Sequence, residues 1–155
     1  ILYVSICSLF LLTLSTFMTF LLGARVRSQA IAEVNQQGFQ VMHIVISSLR
    51  NGRSVQTPAI GSSSTTLSIT TGVPLLDPTV FSIASSTFYI QEGSNSGIAL
   101  TNSRVIVSDA LFTNVSSASS TDRIIRISFT IVHKNVGGRD EYTFSKTFTG
   151  SATLR

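Results

Sequence analysis

Two patterns of apolar residues follow one another at the start of this chain, and each predicts a different surrounding. Ile1 to Leu22 contains no charged residue, no Gly and no Pro. Leu2, Leu9, Phe10, Leu11, Leu12, Leu14, Phe17, Phe20, Leu21 and Leu22 cover every face of a helix. A helix that is apolar all round must be enclosed on all sides, by lipid or by other helices. At about 1.5 Å per residue the stretch reaches roughly the 30 Å of a bilayer's hydrocarbon core. Ser5, Ser8, Thr13, Ser15, Thr16 and Thr19 lie between the apolar positions. Such small hydroxyl residues permit close helix approach and can bond back to carbonyls of their own helix.

After Gly23 the pattern narrows to one stripe. Val26, Ala30, Val34, Gly38, Val41, Val45 and Leu49 recur at intervals of three and four, with Ile31, Met42 and Ile46 on the flank. Arg27, Gln29, Glu33, Gln36, Gln37, Gln40, His43, Ser47 and Arg50 are assigned to the opposite face. The prediction is a single helix, on the order of 75 Å long at 1.5 Å per residue. It begins in an apolar medium and becomes amphipathic, docking Val34, Val41, Val45 and Leu49 on a sheet. Asn51-Gly52 is expected to cap it, Gly taking the left-handed conformation there. A coiled coil is the rival for a helix this long, but the first half lacks a sustained heptad with charged flanks.

Downstream the period changes to two. Residues 53–64 read as a loop from their Pro, Gly and Ser content. Thr65 to Thr71 and Thr79 to Ala84 read as strands, and Thr87 to Gln91 and Ile98 to Leu100 as a pair around the loop Glu92 to Gly97. Arg104 to Val107 runs through Ser108-Asp109 into Ala110 to Val115, one long strand with a bend. Ile125, Ile127, Phe129 and Ile131 alternate with Arg126, Ser128, Thr130 and Val132, as a half-buried antiparallel strand should. A turn at residues 135–140 leads to a returning strand with Tyr142, Phe144, Lys146 and Phe148 on one face and Thr143, Ser145, Thr147 and Thr149 on the other. The predicted class is α+β, with residues 1–24 as apolar helix, 25–52 as its amphipathic continuation and 53–155 as a β-rich head.

Composition narrows the functions. Only 12% of the residues are charged and the net charge is +4, with eleven basic residues scattered along the chain and forming no run. The aromatics fall at strand positions or in the apolar helix, so specific nucleic-acid binding is not expected. Cys7, the lone cysteine, lies in the apolar segment, which leaves the head without disulfides or cysteine-bound metal. A secretory signal peptide has an apolar region of about 7–15 residues behind a basic segment. This run is longer and follows no basic residue, so cleavage after Leu22-Gly23-Ala24 is not expected.

The plan of apolar helix, amphipathic helix and antiparallel sheet resembles a type IV pilin or a type II secretion pseudopilin. Ile1-Leu2-Tyr3-Val4-Ser5-Ile6 matches the part of the prepilin signature that follows Phe-Thr-Leu-Ile-Glu in that family. Residues 87–93 and 100–105 resemble pseudopilin heads more loosely. The resemblance implies that missing opening upstream as the methylated start of the mature chain, behind a basic leader removed at the inner face of the membrane. Such a leader would also reverse the cytoplasmic placement of the head that Arg25 and Arg27 alone would favour. No residue here inherits the role of the family's near-terminal carboxylate, since the first acidic residue is Glu33. The implied partners are copies of the same chain in a helical filament, the inner membrane before assembly, and the pilus assembly machinery. Ile1, Leu2, Val4, Ile6, Leu9, Phe10, Leu14, Phe17 and Leu21 are then the assembly helix. If that helix melts locally on assembly, Gly23 and Gly38 are the candidate points, Gly23 first.

No catalytic constellation accompanies this plan, and no cofactor is expected. His43 is placed on the polar helix face and His133 on the inward face of its strand, both structural. Asp140-Glu141 would be a calcium position by analogy with some pseudopilins, but the loop offers few oxygen ligands. Asn114-Val115-Ser116 is a formal N-glycosylation sequon. Residues 116–121 read equally as a plain loop or an O-glycosylated one. Besides the filament subunit, whether major pilin, minor pilin or pseudopilin, the residues allow a single-pass anchored binding module or a membrane-anchored enzyme.

Overall fold

The computed structural model describes residues 2–117, 123–135, 137–138 and 142–154. One unbroken helix, α1 (Leu2–Asn51), leads into nine strands: β1 (Ser54–Thr57), β2 (Ser63–Ser64), β3 (Leu67–Thr70), β4 (Thr79–Ala84), β5 (Thr87–Glu92), β6 (Ile98–Ala99), β7 (Val105–Asn114), β8 (Ile124–His133) and β9 (Ser145–Thr153). They form two antiparallel sheets, ordered β1-β3-β4-β5-β6 and β2-β7-β8-β9. The chain is therefore of the α+β class.

The stripe and the sheet find each other because both must bury one face. Val34, Val41, Val45 and Leu49 are fully buried and pack over β8 and β9. Ile125, Ile127, Phe129 and Ile131 line the buried face of β8. The five-stranded sheet adds Leu67, Ile69, Phe81 and Phe88 to the same core. Its Phe88 meets Phe129 at 5.6 Å between ring centroids, and Phe129 stacks on Phe148 at 5.6 Å. Gly38 is what lets α1 lie directly on β9, because a Cβ there would run into the Phe148 ring.

Strand β7 shows how a local defect serves the core. Its buried positions are Val105 and Val107, then Ala110, Phe112 and Asn114. Parity changes between them, so a regular strand would turn one set outward. A bulge between Ser108 and Leu111, with Asp109 at a φ of 52°, inserts the one residue that keeps both sets inward.

Several expectations are corrected. The stretch after the helix is not wholly loop: it contains β1 and β2, which extend an edge of each sheet. The head is built from two sheets, so its buried face receives both a helix and a second sheet. The returning strand starts at Ser145, later than Tyr142, and continues to Thr153. Phe144 and Tyr142 precede it, and Tyr142 stacks on His133. Gly52 does not take the left-handed conformation. It donates its N–H to Leu49 O, and its missing Cβ leaves room for Ile69 Cγ2, which would lie 2.5 Å from it. Gln37, assigned to the polar face, is buried because residues 101–104 cover it, and its Oε1 accepts the Asn102 N–H at 3.3 Å.

Candidate assembly surface

Among the described residues, the first half of α1 presents a continuous run of exposed large apolar side chains. From Leu2 to Leu22 its large apolar side chains are 47% to 83% exposed, and none of the most apolar window is covered by the head. Leu2, Val4, Ile6, Leu9, Phe10, Leu14, Phe17 and Leu21 all lie on this surface, whereas Ile1 falls outside the described residues. Water does not tolerate a contiguous patch of this size, so it marks a site of contact with lipid or protein. Its window has a mean hydropathy of 2.0, and by length and composition α1 can cross a membrane.

Four hydroxyls within this surface are already bonded to carbonyls of their own helix. Ser8 Oγ donates to Ser5 O at 3.0 Å, Thr13 to Phe10 O at 2.8 Å, Thr16 to Leu12 O at 2.9 Å, and Thr19 to Thr16 O at 2.8 Å. Each hydroxyl thereby enters an apolar medium with its donor satisfied, which removes most of the cost of desolvating it. A shallow apolar groove lined by Leu11, Leu14, Ser15, Phe17, Met18 and Leu21 runs along one side. Helix side chains of another molecule can seat there as ridge in groove. Cys7 is exposed on the same segment.

Where α1 enters the head, polar residues fasten the two together. Glu33 accepts a hydrogen bond from Asn102 Nδ2, and its other oxygen stands 3.9 Å from the Arg104 guanidinium. Asn102 Oδ1 accepts the Arg104 N–H at 3.0 Å. On the far side Lys146 Nζ donates to Asn35 Oδ1 at 2.7 Å and lies over the rings of Phe39 and Phe148, 5.3 and 5.2 Å from their centroids. Phe39 itself is 62% exposed, an apolar residue on the outside of the amphipathic half. The sequence pattern did not single out Asn102, Arg104 or Phe39, because their roles depend on which loop and strand come to lie beside the helix.

Asn114 is not a free glycan acceptor in this fold. It is 2% exposed, and Nδ2 donates to Pro58 O at 3.0 Å. Its Oδ1 accepts both the N–H and the hydroxyl of Ser116, at 3.2 and 2.6 Å. A glycan on Nδ2 has no room there: the sequon is a turn that pins the end of β7 to the residues after β1. His43 is exposed on α1, and His133 is half-buried at the end of β8, its Nδ1 without a hydrogen-bond partner among the described residues. Among the described residues no three His, Cys, Asp or Glu side chains come together as a metal site. Asp140-Glu141 lies outside those residues, as does most of the Ser/Thr-rich loop at 118–121.

No protein-family model matches the chain. Neither a characterised protein nor a solved structure matches it. What the fold and its surface define is a class: an α+β protein whose N-terminal helix is compatible with a transmembrane anchor and whose β-rich head is packed on the same helix's second half.

Proposed function

We propose that this chain is a non-catalytic structural subunit of a type IV pilus-like extracellular filament, assembling through the first half of α1. The observation that carries the reading is one unbroken helix with two opposite surfaces. From Leu2 to Leu22 it is apolar and uncovered on all sides, and from Ala30 onward it is fused to the head by a buried stripe. Before assembly the uncovered part resides in the inner membrane. On assembly, driven by the pilus machinery, it exchanges lipid for copies of itself, gaining close side-chain packing between helices. Heads carried on the other end remain outside the bundle. Repeated heterologous contacts that do not close then give a fibre.

Deletion of Leu2 to Leu22 tests the reading against an anchored binding module. The truncated chain is expected to be soluble, to keep its folded head and to be absent from filaments in electron micrographs of sheared cell-surface material. Filaments that still contain the truncated chain, or a full-length chain that stays monomeric and acts alone in the membrane, would overturn it.

A further inference from the structure

A cleft of about 480 Å³ opens at the junction of α1 and the head, lined by Val26, Gln29, Glu33, Arg104, His133 and Tyr142. Beside it Lys134 donates its backbone N–H to Arg104 O at 2.7 Å, so these two cations are neighbours, and both side chains are exposed. Arg27, assigned from the sequence to the polar face, precedes Val34 and Val41 by about two and four turns, so helix geometry puts it instead on the face that carries the head, exposed below the cleft. The one carboxylate among the described residues of this cleft, Glu33, already holds Asn102. Its contact with Arg104 is at 3.9 Å, with 74% of the Arg104 side chain still in solvent. That exposed pair is too weak to occupy the guanidinium.

We propose that this base of the head, with Arg27, Arg104 and Lys134 around the cleft, is a docking surface for the anionic headgroups of the bilayer that holds Leu2 to Leu22. It has that partner only if the segment spans a membrane, as proposed above. The geometry supports the contact. Glu33 stands above Leu22 by about 16 Å at 1.5 Å per residue. Headgroups fill roughly the first 5–8 Å of that distance. The gap that remains is about one Debye length, so the charges still feel the surface across it, and an average helix tilt toward the head face narrows it. Arginine's planar fork fits phosphate oxygens in pairs, and the Tyr142 ring lining the same cleft is of a kind favoured at a membrane interface. Docked in this way, the head leans on the membrane until assembly withdraws the helix and breaks all the headgroup contacts together.

The test uses the full chain in lipid nanodiscs, with Cys7→Ser and a spin label on Ser103→Cys, next to Arg104. Proximity of the label to headgroups is read with a paramagnetic lipid. In phosphatidylglycerol-containing discs the label is expected close to the headgroups. That proximity should be lost in pure phosphatidylcholine discs, at high salt, and in the Arg104→Glu/Lys134→Glu double variant with the head still folded. Equal proximity in neutral and anionic discs, with the chain inserted, would overturn the docking surface and leave the spanning segment intact. Failure of the chain to remain in either disc would overturn the spanning reading, and the docking surface with it.

Discussion

At the scale of single residues, the fold turns on side chains chosen for what they lack or what they bond. Gly38 is a contact glycine. It looked like a weak point in the helix, yet it lies where the Phe148 ring meets the backbone. Gly38→Val must push α1 off β9, and overpacking of this kind costs about 1–3 kcal/mol. Thermal denaturation of the full chain in detergent should show that loss, with the helix content of the first half unchanged. Asp77 organises the turn between β3 and β4, accepting from the N–H and hydroxyl of Thr71 and the N–H of Gly72. These bonds, chiefly the Thr71 backbone N–H and with help from Arg53, hold its carboxyl below the ordinary value of 3.8. A depressed carboxylate contributes stability above its unfolded pKa and loses it as pH falls through the folded value. The chain should therefore lose stability below about pH 3.8 more steeply than Asp77→Asn, whose acid denaturation curve lacks that component. Coincident curves would mean that the turn does not depend on the charge.

At the scale of elements, the hairpin of β4 and β5 is joined by Ser85-Ser86, both with positive φ, 48° and 61°. A two-residue loop of that shape suits Asn-Gly far better than Ser-Ser. Ser85→Asn with Ser86→Gly is expected to raise stability by about 1 kcal/mol, measured as a higher midpoint in urea with an unchanged slope. Both strands of the hairpin were legible, as Thr79 to Ala84 and Thr87 to Gln91, but the sequence paired the second only with Ile98 to Leu100, and its pairing with β4 came from the structure. β8 and the bend in β7 were legible because strict period two leaves few other arrangements. β1 and β2 were not legible. They are four and two residues long and rich in Ser, and only the edges offered by β3 and β7 make them strands. The helix is the clearest element, and its first half carries the sharpest test. A charge placed at its centre costs about 2.5–3.5 kcal/mol on insertion. Leu14→Arg should move the chain out of the alkali-resistant membrane fraction, whereas the same change at the exposed Gln40 should not.

At the scale of the whole molecule, the division of labour along one helix explains why the head and the assembly surface do not compete. The buried stripe from Ala30 to Leu49 is covered by the sheets, and among the described residues the long run of exposed large apolar side chains lies below Gly23. In a filament this predicts helices at the centre and heads outside, with Phe39 and the surface around β9 nearest to neighbouring heads. The two solvents the chain needs, the class it belongs to and the face its helix turns to a sheet follow from hydrophobic period alone, since burial must match the repeat of each element. Other features required contacts distant in sequence: two sheets instead of one, Gly38 against Phe148, Gln37 beneath residues 101–104, and Asn114 bonded to Pro58. Those depend on which loop or strand lands beside which residue, and a one-dimensional pattern of polarity does not encode that neighbour.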